Sequence, residues 1–401
     1  MGVSGCTALE YPSDPDDYQL AVMNKQKMKR RFRKSPIKQR RIEFEIEHMD
    51  PLGQGVSKKG GNITFVSGTL PGETGTADVY KRARGVQFAR LQTLDRSAGN
   101  RVEPECPHFD KCPGCQYLHT DYASELEFKK STLVRYLAPL GVLEDEIEVL
   151  GAPRRLAYRN RVQLHYRHKY IGMLDTVSNE VVEIPQCKIM RQELQSAFDQ
   201  LYRGEWAQEH SGHGHCELYF KAGEVSTCWD ENYAHGGFSQ VYEEMNLTLQ
   251  KRVQQQLEEL QVTSLLDLFS GTGNLSDAWA ASGGSRVLID SYIETKGSDR
   301  LDNFHKMDLY DDQTLANFSR KVAGLNFDTL LIDPPRRGFP GLDGWVKKFK
   351  PRYLFYVSCN PASLTRDLRK LGVKFRFKTI QLLDLFPATA HFETFVVLEI
   401  R

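Results

Sequence analysis

Three short motifs near the carboxyl end of the chain hold side chains that could do covalent chemistry. They read Asp-Pro-Pro-Arg at residues 333–336, Ser-Cys-Asn-Pro at 358–361 and Pro-Ala-Thr-Ala-His-Phe-Glu at 387–393. The first two follow apolar runs typical of buried strands, and the third precedes another such run. A thiol and a carboxylate at one edge of an α/β sheet are what a covalent reaction followed by proton removal requires.

Cys359 and Glu393 are the reactive groups that these motifs predict. Asn360 and Pro361 have the residue types of a helix N-cap and first helical position, and a helix N-terminus would lower the pKa of the Cys359 thiol. Glu393 lies beside His391 between apolar residues, so burial should raise its pKa toward that of a working base. The alternatives without a function are that Cys359 is a buried structural cysteine and that Glu393 is a solvated surface residue.

Methylation of uracil at C5 suits these residues. The Cys359 thiolate would add to C6 and make C5 nucleophilic, and Glu393 would remove the C5 proton after methyl transfer. Asp333 would hold the edge of the pyrimidine. Cytosine-5 enzymes can use the same covalent chemistry, so the carboxylate base favours uracil without excluding cytosine.

A glycine-rich turn further upstream predicts a nucleotide-like cofactor. A strand over residues 264–269 leads into Ser-Gly-Thr-Gly-Asn at 270–274, where Gly271 and Gly273 would let a ligand approach the backbone. Ser276 stands where a dinucleotide fingerprint has a third glycine. Asp290 ends the next strand at a position to bind ribose hydroxyls, and Asp308 after a further strand could contact adenine. The turn alone could be an ordinary tight loop, but with Asp290 the leading cofactor is S-adenosylmethionine.

Four of the eight cysteines are spaced as metal ligands. Four thiolates suit either a tetrahedral zinc ion or an iron–sulfur cluster, and spacing alone modestly favours zinc. The remaining cysteines outside the motifs have no ligand spacing and are predicted to be structural. The predicted ligands are Cys106, Cys112, Cys115 and Cys187; the structural ones are Cys6, Cys216 and Cys228.

The 401 residues suffice for several domains. Residues 1–40 are predicted to form a basic, disordered extension, with ten Lys or Arg and no acid between positions 25 and 41, which favours nucleic-acid binding. Short strands with glycine turns over 41–98 predict a small oligonucleotide-binding barrel. Residues 99–236 predict a central α+β part with a helix over 124–137, and 237–401 alternate strand and helix as a parallel sheet requires.

Neither a signal peptide nor a membrane span is visible, so we expect a cytoplasmic protein.

Taken together, these motifs resemble those of the RumA-type RNA (uracil-5-)-methyltransferases, the family that makes 5-methyluridine in 23S ribosomal RNA. The resemblance covers about residues 41–401 and keeps the order of the family's parts. It implies an α/β class I (Rossmann-like) methyltransferase domain, an N-terminal all-β TRAM barrel of the OB type and a central α+β domain containing an iron–sulfur cluster. It also implies a monomer that acts on RNA, most of all 23S rRNA, with no membrane partner.

The resemblance further implies the roles of individual residues. A [4Fe–4S] cluster would replace zinc on the four cysteines, Cys359 would be the nucleophile, Glu393 the general base, and Phe238 would touch the flipped base. The TRAM barrel would hold the RNA together with Arg159, Arg161 and Arg167. The residues implied to bind S-adenosylmethionine are Gln240, Phe269, Asn274, Asp290, Asp308 and Asp333, together with the turn glycines Gly271 and Gly273.

The chain departs from the family's pattern between Asp290 and Asp308, where it is shorter than usual. Three alternatives stay open at this stage. One is the same methylation on the T-loop uridine of tRNA. The others are an RNA-binding protein without turnover and an N-methyltransferase that uses the Asp-Pro-Pro-Arg motif as an amine clamp and needs no thiol.

Overall fold

The computed structural model of the chain describes residues 40–83, 85–175, 178–210, 212–231, 239–291 and 303–401. The predicted basic extension, except its last residue, lies outside this range, as do Cys6 and Phe238. Helices and strands are numbered in chain order. The α-helices are α1 (Tyr122–Leu137), α2 (Gln195–Arg203), α3 (Glu243–Glu259), α4 (Asp277–Ala281), α5 (Thr314–Lys321), α6 (Leu342–Phe349) and α7 (Pro361–Arg369). Short 3₁₀ turns span Lys59–Gly61, Ala138–Leu140, Glu144–Glu146, Gln192–Leu194 and Glu205–Gln208.

The N-terminal part is a six-stranded sheet. Its strands are β1 (Arg40–Glu45), β2 (His48–Met49), β3 (Gln54–Ser57), β4 (Ile63–Ser67), β5 (Thr74–Ala83) and β6 (Val86–Arg96). They are ordered β1-β5-β6-β4-β3-β2, and all neighbours are antiparallel except β4 and β6. Alternate apolar residues such as Phe44, Val66 and Val79 point into one small core, as strands with one buried face require. The predicted all-β N-terminal part is therefore confirmed.

The central part contains a five-stranded antiparallel sheet. Its strands are β8 (Arg161–Arg167), β9 (Tyr170–Leu174), β10 (Val181–Val182), β11 (His213–Lys221) and β12 (Glu224–Trp229). Their order is β10-β9-β8-β11-β12. Phe198 and Leu201 of α2 pack against this sheet in one apolar cluster. Cys216 and Cys228 are buried free thiols here, as the absence of ligand spacing predicts.

The largest sheet has eight strands and occupies the carboxyl-terminal part. Its strands are β7 (Glu148–Leu150), β13 (Ser264–Leu268), β14 (Ser285–Asp290), β15 (Phe304–Lys306), β16 (Thr329–Ile332), β17 (Tyr353–Ser358), β18 (Phe375–Leu383) and β19 (Glu393–Ile400). The order is β15-β14-β13-β16-β17-β19-β18-β7, in which β19 runs antiparallel to both of its neighbours and the other pairs are parallel. The direction of the connections reverses between β13 and β16, which is where ligands bind in open α/β sheets.

Helices cover both faces of this large sheet. Leu266, Leu330 and Leu354 pack on the face covered by α1, α5, α6 and α7, whereas Leu265 and Leu331 pack with α3 and α4 on the other face. Burial on both faces explains why β13, β16 and β17 are continuous apolar runs. The predicted Rossmann-like domain is confirmed.

The proposed division of the chain into four parts stays a prediction. Two elements of the predicted central part belong with the large sheet instead: α1 packs against it, and β7 pairs with β18. Within the described ranges, no helix is both long enough and apolar enough to cross a membrane.

Candidate active site

The candidate reactive residues meet at one edge of the large sheet. Strand β17 is parallel to β16, with Tyr356 opposite Ile332, and antiparallel to β19, with Ser358 opposite Thr394. Cys359 directly follows β17 and Glu393 begins β19, so the two residues lie near each other at this end of the strand pair. Asp333 follows β16 at the same edge. Three motifs that are far apart in the chain thus supply a thiol and two carboxyl groups to one place, as predicted.

Burial dominates the electrostatics of this edge. It raises the pKa of the Glu393 carboxyl group well above its usual value, and the charge of Asp333 adds to this while Arg336 opposes it. Burial also raises the pKa of Asp333 to about 7, with the charges of Asp267 and Asp290 acting in the same direction. Glu393 is only 3% exposed, and its Oε2 atom has no hydrogen-bond partner among the described residues. A carboxyl group in this state is suited to exchange a proton with a bound ligand.

The Cys359 thiol does not have the lowered pKa that its position before a helix predicts. Asn360 does cap α7, since its side chain accepts a hydrogen bond from the amide of Ala362 at 3.1 Å, with Pro361 at the first helical position. Burial nevertheless raises the pKa of Cys359 to about 12, and the charge of Glu393 adds to the effect while Arg336 opposes it. Desolvation and a neighbouring carboxylate therefore outweigh the helix terminus.

Two further contacts tie the three motifs together. The Arg336 guanidinium lies 3.5 Å from Nε2 of His391. The backbone carbonyl of Arg336 accepts a hydrogen bond from the Asn360 side chain at 2.9 Å. Burial, with Arg336 nearby, lowers the pKa of His391 to about 4, so this ring is neutral at physiological pH. The charge of Arg336 thus opposes the raised pKa of both Cys359 and Glu393.

Asp367 on α7 fixes the loop that carries the Asp-Pro-Pro-Arg motif. Its carboxylate accepts hydrogen bonds from the Phe339 amide at 2.6 Å and from the Tyr356 hydroxyl at 2.9 Å. The helix that begins after Cys359 therefore also holds the loop that begins at Asp333. Sequence reasoning did not single out Asp367.

The glycine turn has the backbone of a ligand cradle. Phe269, Gly271 and Gly273 have positive φ angles of 58°, 53° and 93°. A non-glycine residue with positive φ, such as Phe269, is uncommon and is often found at functional sites. A Cβ atom at Gly271 would meet no atom within 4 Å, so this face of the turn is open. The Gly271 amide donates to the Asp290 carboxylate at 2.9 Å, which joins the turn to the predicted ribose-binding residue.

Ser276 explains why the third glycine is missing. Its hydroxyl donates to the buried carboxylate of Asp267 at 2.6 Å and accepts from Arg286 at 2.7 Å. Burial raises the pKa of Asp267 to about 7. The two hydrogen bonds of Ser276 thus stabilise the turn from inside the protein.

The other predicted cofactor residues differ in how they are placed. Gln240 is buried, and its Oε1 atom has no hydrogen-bond partner among the described residues, so it is available to a donor on a ligand. The Asn274 amide instead bonds to Asn246 and Gln250 of α3 at 2.7–3.0 Å. Asp308 accepts a hydrogen bond from the Tyr310 amide at 2.9 Å, which turns this side chain toward its own loop.

The four predicted metal ligands line one cavity of about 360 Å³. Burial raises the pKa of Cys112 to about 11 and that of Cys115 well above its usual value, and neighbouring cysteines add to the shift. His108 lies in the same lining, and its Nε2 atom has no partner in the described part of the chain. Over the same residues, no three His, Cys, Asp or Glu side chains form a group that could hold a single metal ion.

The arginines predicted to hold RNA differ from one another in burial and in their partners. Arg161 is 7% exposed, lies 4.3 Å from the ring centroid of Tyr219 and is 3.5 Å from the Glu217 carboxylate, so it belongs to the interior of the central sheet. Arg159 lines the cysteine cavity, where its charge favours thiolates over thiols. RNA binding by these arginines stays a prediction. Arg167 lies 3.6 Å from Glu180 at the end of β8.

A buried ion-pair network joins α1 to the segment before Glu393. Lys129 donates to Glu125 and to Asp384, both at 2.7 Å, and all three side chains are at most 1% exposed. Arg155 contacts the second oxygen of Glu125 at 2.9 Å. Sequence reasoning missed this network, although the four-residue spacing of Glu125 and Lys129 on a predicted helix was a usable signal.

We expect Lys129→Met to lower the free energy of unfolding by about 3–5 kcal/mol, because it leaves the buried Asp384 carboxylate without the cation that contacts it. Lys130→Met is the matched control, since Lys130 is 3.8 Å from the exposed Glu144 and such pairs contribute about 1 kcal/mol or less. Denaturant unfolding of both variants measures the difference. Equal losses for the two lysines would contradict this account of the network.

The pH dependence of the site follows from the direction of the two pKa shifts. Cys359 and Glu393 act in their ionised forms, and both pKa values are raised. We therefore expect the rate of covalent bond formation by Cys359 to increase with pH, about tenfold per unit between about pH 6 and pH 9. Glu393→Gln removes a charge that raises the thiol pKa and should shift this profile to lower pH. Single-turnover rates across the pH range provide the test, and a profile that is flat above pH 7 would contradict it.

The fold is that of a class I methyltransferase domain. Its site adds a thiol after β17 and a carboxylate at the start of β19. Comparisons with known proteins agree. Residues 315–401 match the family model described as tRNA (Uracil-5-)-methyltransferase. Over this segment the chain is therefore similar to the (uracil-5-)-methyltransferases.

Two curated relatives extend the similarity to nearly the whole chain. Both are named 23S rRNA (uracil(1939)-C(5))-methyltransferase RlmD. The one from Shewanella halifaxensis is 28% identical over 90% of this chain and 96% of the relative. The one from Pectobacterium atrosepticum is 28% identical over 88% and 92%.

A solved structure has a similar fold. It is the Pyrococcus abyssi tRNA (uracil-54, C5)-methyltransferase in complex with S-adenosyl-L-homocysteine, with a TM-score of 0.66, 21% identity, and coverage of 89% of this chain and all of that one. At this identity the likeness concerns the fold alone.

Proposed function

We propose that the protein transfers a methyl group from S-adenosylmethionine to C5 of a uridine in 23S ribosomal RNA. The observation that carries the proposal is the meeting of Cys359 and Glu393 at the facing ends of β17 and β19, with Asp333 at the end of β16 beside them. The curated relatives that match about nine-tenths of the chain support the choice of rRNA.

The side chains at this edge would act in sequence. The Cys359 sulfur forms a bond to C6 of the uracil, and the electron pair of the C5–C6 double bond moves into the ring and its carbonyl group. C5 would then form a bond to the methyl carbon of S-adenosylmethionine as the sulfur–methyl bond breaks and S-adenosylhomocysteine leaves. Glu393 removes the proton from C5, the double bond forms again, and the Cys359 thiolate leaves. Asp333, with a pKa near neutrality, can donate or accept a hydrogen bond at the edge of the pyrimidine.

The residues around the glycine turn fit S-adenosylmethionine. The open face at Gly271, the carboxylate of Asp290 and the buried unpartnered oxygen of Gln240 offer a backbone cradle and two acceptors for its polar groups. Gly273 has a φ of 93°, a conformation that residues other than glycine rarely adopt, so glycine suits this turn. Phe269 is also proposed to contact the cofactor. Asn274 and Asp308 would have to exchange their present hydrogen-bond partners to bind it.

The four cysteines that line one cavity fit a [4Fe–4S] cluster, because four thiolates are its usual ligands and Arg159 supplies a compensating charge. The cluster would cross-link Cys106, Cys112 and Cys115 to Cys187, which is far away in the sequence. Protein purified without oxygen should be brown and contain about four irons and four sulfides per chain. A colourless protein with one zinc per chain would refute the assignment.

RNA binding is proposed for the N-terminal sheet, as a TRAM barrel, together with the basic segment before it. Phe238 remains a prediction as a contact of the flipped base, because a base must leave its stack before C6 can be reached. We further propose that the protein acts in the cytoplasm as a monomer.

Methylation of tRNA is a second candidate, because the matching family model and the solved structure of similar fold both carry tRNA in their names. Mass-spectrometric mapping of 5-methyluridine in rRNA and tRNA from a deletion strain separates the two. Loss of a single 5-methyluridine from 23S rRNA is expected. Loss from tRNA alone would replace the rRNA assignment, and no loss from either RNA would refute the proposed function.

A further inference from the structure

The connection between β18 and β19 has a conformation that its own residues do not favour. It spans residues 384–392, between Leu383 and Glu393, which pair with each other in the sheet. Within it the fully buried Ala388 has a φ of 68°. The left-handed region is unfavourable for alanine, so the surroundings must hold this residue in place.

Hydrogen bonds from one segment hold this turn. The Ala388 carbonyl accepts from the amides of Gln116 and Tyr117 at 2.8 and 2.9 Å, and the Ala388 amide donates to Glu125 at 2.7 Å. The Ala390 amide donates to Oε1 of Gln116 at 3.1 Å. All of these partners come from the residues that follow Cys115.

Gln116 is itself fixed from two other directions. Its Nε2 atom donates to the carbonyl of Pro113, which lies between Cys112 and Cys115. A Cβ atom at Gly53 would lie 2.7 Å from the Cβ of Gln116 and 3.4 Å from the Cβ of Ala390. The loop before β3 of the N-terminal sheet therefore approaches Gln116 closely, and Gln116 contacts the segment that leads to Glu393.

We infer that Gln116 is a positioning residue for the general base. Through its side-chain contact with Ala390 and its backbone contact with Ala388, it fixes the connection that ends at Glu393, so that this carboxylate meets the C5 proton of the substrate. The inference rests on the proposed function. It assigns to the N-terminal sheet and the cysteine loop a shared task in the proton-removal step, because both contact Gln116.

The test uses Gln116→Met, which keeps the length of the side chain and removes the acceptor for Ala390. Because proton removal follows formation of the Cys359 bond, we expect kcat to fall about tenfold, as the loss of one hydrogen bond to a buried amide predicts. The KM for RNA should stay within about twofold, and the fraction of enzyme held covalently on RNA in a denaturing gel should increase. Gln116→Glu keeps the acceptor for Ala390 but loses the donor to Pro113, so its kcat should lie between those of the parent and Gln116→Met. Gln255→Met, an exposed glutamine of α3 that bonds to Glu259, is the matched control and should behave as the parent.

Ala388→Gly supplies an independent arm. Glycine adopts the left-handed conformation without penalty, so it should restore several-fold of the kcat lost in Gln116→Met. Unchanged kcat in Gln116→Met, an increase of KM alone, or no recovery with Ala388→Gly would each overturn the inference. Should Gln116→Met not fold, Gln116→Ala in the Ala388→Gly background takes its place with the same measurements.

Hydrogen exchange separates this inference from the proposed function. Without RNA, the amides of residues 384–391 should exchange faster in Gln116→Met than in the parent or in Gln255→Met. Equal exchange would overturn the positioning role. A parent that methylates no RNA would refute the proposed function, whereas the exchange result would still report whether Gln116 fixes the connection.

Discussion

Cys359→Ala should lose methyl transfer by about 10⁴-fold or more, since removing the nucleophile of a covalent mechanism removes the step on which the others depend. The variant should still bind S-adenosylmethionine, because Cys359 lies at the end of β17 whereas the glycine turn follows β13. Methyl incorporation into bulk RNA and equilibrium binding of the methyl donor measure the two effects.

Cys228→Ala is the control for loss of a buried thiol elsewhere, and it should keep the parental rate. Full activity in Cys359→Ala would contradict the covalent mechanism. It would favour an N-methyltransferase in which the Asp-Pro-Pro-Arg motif holds an amine.

Glu393→Gln should lower turnover by about 10²–10⁴-fold, the usual contribution of a general base. The thiol would still add to C6 and methyl transfer would still occur, so the enzyme should accumulate as a covalent complex with methylated RNA. A denaturing gel with labelled RNA detects this complex, and mass spectrometry of the released nucleotide shows the methyl group.

Glu399→Gln provides the matched control on the same strand. Glu399 lies at the far end of β19 in an ion pair with Arg376, so its loss should change turnover less than about twofold. Rapid turnover without accumulation in Glu393→Gln would show that another group removes the proton.

The sequence predicts the sheet that positions the site better than it predicts the site's contacts. The strand predicted over residues 264–269 matches β13 to within one residue, and the apolar runs beside the three motifs are β16, β17 and β19, because continuous apolar runs are strong signals for buried strands. Strand β18 was missed. Its outer half alternates partly exposed and exposed residues, and a register shift between Phe377 and Thr379 interrupts its pairing.

The site's chemistry was predictable where residue type and strand end coincide, as at Cys359, Asp333 and Asp290. Properties that depend on the folded surroundings were not. The raised pKa of Cys359 arises from burial and from Glu393, which is distant in the sequence. The burial of Arg161 accompanies its contacts with Tyr219 and Glu217 of β11, which are distant in the sequence.

The contacts that hold the connection before Glu393 come from residues more than 250 positions away. Gln116 has no motif, and Ala388 gives no sign in the sequence of its left-handed backbone. Such long-range contacts become visible only when the three sheets are packed together.

Trapping with 5-fluorouracil tests the central chemistry most directly. With fluorine at C5 there is no C5 proton for a base to remove, so the elimination that releases the protein cannot occur. RNA that contains this base should therefore stay bonded to the protein after methyl transfer. We expect digestion and mass spectrometry to find one methylated fluoropyrimidine on the peptide that contains residue 359, dependent on added S-adenosylmethionine. If the protein methylates ordinary RNA yet forms no such bond, position 359 is not the nucleophile and the mechanism is wrong.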